Sequence, residues 1–275
     1  LGLSISPDLD TLMYTLAGLD NPDTGWGRRN ETWTFMAALE SLGGETWFKL
    51  GDGDLAVHLE RTRRLRAGEG LAAITDDFRR RLGIGVTLLP MTDDRVRTRL
   101  RTAEGWLDFQ EYFVHRRCVP VVREVAFAGA ADARPNPAFL AALSDPRLRA
   151  VVVCPSNPLI SVDPILSLPG VRSALASCAA PVLAVTPIIG DRAVKGPTAK
   201  MMAELGLPVT AVTVARHYRD FLDGFILDIA DARLARELDM PFTLTQTLML
   251  SLDDREQLAR RVIETADAMR RRTRG

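Results

Sequence analysis

Cysteine, histidine and net charge are all scarce in this chain. Three cysteines, Cys118, Cys154 and Cys178, stand among 275 residues. Their odd number and wide spacing exclude a disulfide framework and a paired zinc motif, and suit a reducing cytoplasm. Lys and Arg together number 35, as do Asp and Glu, so the formal net charge is zero. A chain so balanced has no global basic field to draw it onto nucleic acid or an anionic membrane. No apolar run reaches the roughly 18 residues that a membrane helix needs. Neither a Gly-x-Ser-x-Gly elbow nor a Walker A loop occurs, and no Cys/His pairing is suggested by spacing. Catalysis by a side-chain nucleophile therefore has little support.

What is present is ordinary globular composition, 47% hydrophobic and 25% charged, with alternating patterns. The runs 84–90 (IGVTLLP), 150–155 (AVVVCP), 181–187 (PVLAVTP) and 209–215 (VTAVTVA) are short, valine-rich and apolar on consecutive positions. Such runs suit strands covered on both faces in a parallel sheet. Segments 163–178 and 196–206 between them read as helices. The expected fold is α/β, a mostly parallel sheet with helices on both faces. Residues 94–127 alternate Val96, Thr98 and Leu100 with Arg95, Arg97, Arg99 and Arg101 before an Ala-Glu-Gly turn, which predicts an antiparallel hairpin with a solvated arginine face. Residues 31–82 are largely helical, so a helical insertion over about 20–82 is expected within a single domain. Near the end, Ser251 and Asp254 resemble a capping box, and Leu258, Val262, Ile263, Ala266 and Met269 form one apolar stripe.

The stretch SISPDLDTLMY, residues 4–14, predicts a helix that begins at Pro7 with Ser6 as its cap. Leu9, Leu12, Met13 and Leu16 then share a core face. At about 100° per residue, Asp8 and Asp10 fall on opposite flanks of that face, so this helix cannot aim both carboxylates at one ion. Asp8, in the first turn, is the better candidate for a cation. The plain alternative is that Asp8 only complements the helix dipole, worth about 0.3–1 kcal/mol.

Three more stretches carry candidate chemistry. KLGDGDLAVH (49–58) sets Lys49, Asp52, Asp54 and His58 around two glycines, as a site that lets a ligand approach the backbone would. A polar turn with Asp54 as cap and His58 on the helix surface is equally consistent with that pattern. CPSNP (154–158) follows a strand, where open α/β sheets bind ligands. Ser156 and Asn157 there suit a phosphate or ribose, or an Asx-type turn. Lys195, framed by Gly190 and Gly196 ahead of a helix, is a weaker anion candidate.

Taken in order, SPDLDTLMYTLAG, GWGRRNETW, KLGDGDLAVHLERT, LLPMTDD, DFQEYFV, PSNPLISVDPILSLPG, PIIGDRAVKGPTAKMM and DFLDGFILD resemble the CofD/FbiA family from about residue 3 to 250. These are the phospholactate or phosphoenolpyruvate-derived transferases of coenzyme F420 biosynthesis. The resemblance implies a Rossmann-like fold, partners that are small molecules only, and a homodimer. The reaction it implies joins the deazaflavin alcohol FO to a guanosine-diphosphate-activated three-carbon acid, with GMP as leaving group. It implies Mg²⁺, with Asp8 as metal ligand, Asp10 and Lys49 on the FO side, and Ser156 and Asn157 by the guanosine nucleotide. Asp52 or Asp54 is the candidate general base. A non-catalytic nucleotide-sugar-binding regulator of the same superfamily is the competing expectation. Two departures stand out. Family members carry a strand, a glycine-rich loop and a second acidic motif ahead of SPDLD, so the chain is expected to be an N-terminally shortened piece. Gly53 stands where the family usually has arginine, and Arg61 or a neighbour is expected to supply that charge.

Overall fold

The computed structural model describes residues 2–22, 27–190, 192–194 and 196–273. The chain separates into two compact units, Leu1–Arg95 with Phe113–Arg117, and Val96–Tyr112 with Cys118–Gly275.

The first unit holds four helices: α1 (Pro7–Leu16), α2 (Thr34–Ser41), α3 (Asp52–Arg66) and α4 (Leu71–Arg81). Helix α1 begins at Pro7, whose missing N–H costs nothing there. Ser6 does not cap it through its hydroxyl. Its backbone N–H instead donates to Asp10 Oδ2 at 3.2 Å. Only part of the expected apolar face is core. Met13 and Tyr14 are 1% exposed, whereas Leu12 and Leu16 are 49% and 48% exposed. Helix α3 is inverted in character, burying His58, Arg61 and Thr62 while Leu59 faces solvent. Segment 84–90 is not a strand. Ile84 and Leu88 anchor it by packing with Met13 near Phe78 and Leu82. Burial accounts for Ile84 and Leu88, while Val86 between them is 55% exposed.

The second unit opens with the predicted hairpin, β1 (Arg97–Thr102) and β2 (Gly105–Asp108), in antiparallel register with Arg99 opposite Asp108. A third strand, β3 (Glu124–Ala128), pairs antiparallel with the other edge of β1. Helix α5 (Pro137–Leu143) follows, its first turn capped by Asn136, whose side chain accepts from the Ala138 and Phe139 amides.

The principal sheet is parallel, in the order β4 (Val151–Val153), β5 (Val182–Val185), β8 (Gly224–Asp228), β9 (Phe242–Thr245). Between its strands lie α6 (Asp163–Leu166), α7 (Val171–Ala176), the short antiparallel pair β6 (Ile188–Ile189) and β7 (Arg192–Ala193), α8 (Thr198–Glu204) and α9 (Ala211–His217). Every residue of β5 and β8 is buried, as helix cover on both faces requires. The closing helix α10 (Leu252–Thr273) lays Leu258, Val262 and Ala266 on Leu183, Val185 and Ile226. Ser251 and Asp254 exchange the reciprocal hydrogen bonds of a capping box at its start.

Segment 209–215 is a helix rather than the expected strand. Thr210 caps it by accepting from the Thr213 amide at 3.1 Å. Ala211, Val212, Val214 and Ala215 are all buried, so the helix is apolar around most of its girth. A short buried helix and a buried strand share that signature. Among the described residues, no helix is long and apolar enough to cross a membrane.

Ile226 is fully buried between β5 and α10. Ile226→Ala should cost about 2–5 kcal/mol in chemical denaturation, through lost transfer energy and the cavity left behind.

Candidate functional site

Two sequence motifs in the first unit fold onto each other through reciprocal helix caps. Glu31, from RRNETW, accepts from the Gly53 amide at 2.7 Å and the Asp54 amide at 2.9 Å. It thereby occupies the start of α3. Asp52 returns the favour at α2, accepting from Thr32 Oγ1 at 2.6 Å and from the Thr34 and Phe35 amides at 3.1 Å each. The Thr32 hydroxyl, then the Phe35 amide, hold the Asp52 carboxyl below the usual carboxylate range. A carboxylate so occupied is a poor proton acceptor.

Residues 54, 58 and 61 lie at i, i+4 and i+7 on α3 and form one inward polar stripe. The Tyr14 hydroxyl donates to Asp54 Oδ1 at 2.6 Å. His58 Nε2 lies 3.2 Å from the same oxygen, and its Nδ1 lies 3.7 Å from Asp10 Oδ2. Arg61 is 1% exposed. It grips both carboxylate oxygens of Asp10, through Nη1 at 3.1 Å and through Nη2. Burial works to raise the Asp54 carboxyl. Hydrogen bonding to His58 and its charge, then Tyr14 and Arg28, outweigh that and leave it lowered. Tyr14 is driven well above its ordinary value by burial and by Asp54.

Asp8 is the exception in this cluster. No hydrogen bond or ion pair ties it to another described residue. Its residue surface reaches solvent, yet protein crowds the carboxyl. That desolvation, followed by the negative charge of Asp10, raises its pKa. A cation at Asp8 would relieve both effects. Among the described residues, no group of three or more His, Cys, Asp or Glu is arranged to hold a metal ion. A single free carboxylate still fits Mg²⁺, which keeps its waters and takes most remaining contacts from substrate phosphates.

The other candidates are placed as follows. Lys49 is exposed, just before buried Leu50. Arg61 is consumed by Asp10 and is unable to supply the charge expected near Gly53. Arg28 lies there instead. Its Nη1 donates to the Gly53 carbonyl at 3.2 Å and its guanidinium sits 5.5 Å from the Tyr14 ring centroid. A Cβ on residue 53 would come within 3.3 Å of the Arg28 guanidinium carbon and 3.1 Å of Glu31 Oε1. In the second unit, Ser156 is exposed on the loop after β4. Asn157 accepts from the Leu159 amide at 2.9 Å, capping the turn Pro158–Val162. Lys195 lies outside the described residues. Tyr14, Arg28 and Glu31 were not marked by the sequence as site residues; their partners lie tens of residues away. The polar stripe 54, 58, 61 was the one local signal.

One unit thus holds the parallel sheet and the other the acidic cluster. The profile described as "2-phospho-L-lactate transferase CofD" matches residues 1–267. A phosphoenolpyruvate transferase of Streptomyces griseus is 39% identical over 98% of this chain and 87% of its own length. A 2-phospho-L-lactate transferase of Methanosarcina mazei is 37% identical over 96% of this chain and 86% of its own. The crystal structure of a UPF0052 family member from Bacillus halodurans shares the fold, with TM-score 0.55 and 14% identity over 87% of this chain and 77% of that one. The chain belongs to the CofD family, and it is a transferase.

The raised pKa of Asp8 fixes a sign. Its folded pKa lies above the ordinary 3.8. The associated stability is therefore present below 3.8 and is lost as pH rises through the folded pKa. Asp8→Asn should raise the melting temperature at pH 7 by about 1–2 °C, and the gain should vanish near pH 3. Calorimetric scans across that range check this.

Proposed function

We propose that the chain transfers a phospholactyl or phosphoenolpyruvyl group from a guanosine-diphosphate-activated donor to FO in coenzyme F420 biosynthesis, with Mg²⁺ required and GMP released. The observation that carries this reading is Asp8, whose side chain has no hydrogen-bond or ion-pair partner among the described residues, near carboxylates that are already satisfied. Family membership and the names of the relatives support the reaction class.

In this reading the ribityl hydroxyl oxygen of FO forms the new bond to the phosphorus next to the acid. The bond from that phosphorus to the bridging oxygen breaks, and the bridging oxygen leaves with GMP. Phosphoryl-type transfer of this kind depends on positioning and charge neutralisation more than on covalent chemistry by the protein. Asp8 would hold Mg²⁺, which when bound would neutralise the diphosphate and acidify the attacking hydroxyl. Both candidate bases are held below the ordinary carboxylate range. Asp52 already accepts three hydrogen bonds at α2, whereas Asp54 is engaged through Oδ1, so Asp54 is the one retained as acceptor of the hydroxyl proton. Tyr14 and His58 fix the Asp54 carboxylate in one orientation. Arg28, partly exposed beside Gly53 and 3.9 Å from Glu31, is one cation near enough to Asp54 to meet the anionic donor. Lys49 and, in the second unit, Ser156, Asn157 and Lys195 are the remaining substrate contacts of this proposal, with a cytoplasmic homodimer as its expected setting.

The direct test supplies the protein with FO, Mg²⁺ and each guanylylated acid, and follows product mass. Turnover should appear with one of the acids and fall at least 100-fold in Asp8→Asn. Near-normal turnover in that variant removes Asp8 from the mechanism. Indifference of the intrinsic FO fluorescence to added protein, together with binding of a uridine nucleotide sugar, would replace the transferase reading with the regulator.

A further inference from the structure

The resemblance places Asp10 beside the deazaflavin, but its surroundings are those of a structural anchor. Asp10 is 4% exposed and Arg61 1%. Both oxygens of Asp10 face the Arg61 guanidinium, and Oδ2 also accepts from the Ser6 amide at 3.2 Å. The same guanidinium donates to the Ser4 carbonyl at 3.3 Å. Next to it on α3, Thr62 Oγ1 accepts from the Ser4 amide at 2.7 Å and donates to the His58 carbonyl at 2.7 Å. Arg61 and Thr62, adjacent on α3, thus hold residues 4 and 10, and Asp10 in turn holds the amide of residue 6. Asp8 lies between residues 6 and 10, on the first turn of a helix whose entry is stiffened by Pro7.

The geometry points to Arg61 and Asp10 as positioning residues whose buried pair sets where the Asp8 carboxylate stands, and not as contacts to FO. The inference rests on the reading of Asp8 as the cation-binding carboxylate. A buried pair of this kind adds little net stability over an apolar pair of similar volume. Its contribution is to specify geometry: the fork of a guanidinium accepts a carboxylate in few orientations. It also prevents Asp10 from competing for the cation that Asp8 would take, since both of its oxygens are already engaged.

The double variant Asp10→Leu with Arg61→Met removes both charges together, and so avoids leaving either one buried and unpaired. Mn²⁺ serves as the probe, its binding to the full chain read by electron paramagnetic resonance. FO affinity is read separately by fluorescence. The expected result is a folded double variant that binds Mn²⁺ at least tenfold more weakly and needs correspondingly more Mg²⁺ for turnover, with FO affinity unchanged. Wild-type Mn²⁺ affinity in that variant overturns the inference, and so does loss of FO affinity with Mn²⁺ binding intact. Should the double variant not fold, Thr62→Val cuts one tether alone. A roughly threefold weaker Mn²⁺ affinity then supports the inference, and an unchanged one overturns it. Asp8→Asn is measured in parallel. Undiminished Mn²⁺ binding there brings down the reading of Asp8 and this inference with it. Loss in Asp8→Asn, beside wild-type affinity in the double variant, removes the inference only.

Discussion

A guanidinium buried to 1% exposure has to be paired completely, and Arg61 finds its partner on another helix, 51 residues away in sequence. That requirement orders the helical unit. Once Arg61 faces inward, Asp10 must meet it, Ser4 and Ser6 must close around it, and α1 can enter along one line only. His58, between Asp10 and Asp54, extends the same polar interior to Tyr14. A core built this way contributes less through area than through uniqueness of arrangement. It explains why α3 buries its polar stripe and leaves Leu59 in solvent.

The second unit follows the opposite logic. Its sheet is apolar on both sides, and α10 closes one face with a stripe of period 3.6. Here composition and periodicity carried much of the reading: Val151–Val153, Val182–Val185, the arginine hairpin and the Ser251–Asp254 cap could all be read before any coordinates. The errors have separate causes. Segment 209–215 is apolar because most of it is buried, and burial does not reveal backbone geometry; in segment 84–90 only Ile84, Leu88 and Pro90 are buried while Val86 is 55% exposed. Strand β9 was missed because Phe242–Thr245 is an edge with little apolar excess, and β3 because its pairing with β1 is not local.

The candidate site was legible in its residue types and not in its roles. Asp8 was singled out by helix geometry, and its lack of a partner is what the structure adds. Asp52 looked like Asp54 in the sequence, two carboxylates astride one glycine. Tertiary structure separates them, one to cap α2 and the other to meet Tyr14 and His58. No local pattern could announce that division, because the deciding partners are Thr32, Thr34 and Phe35 for the first and Tyr14 for the second.

The Glu31 side chain acts as a stopper in the mouth of α3, resting against Gly51 and Gly53. Any methyl group on Gly51 would strike that side chain. A single small mutation there would unplug two backbone amides at the positive end of a 15-residue helix. The bare α-carbon of Gly51 is therefore the space in which the Glu31 carboxylate is seated.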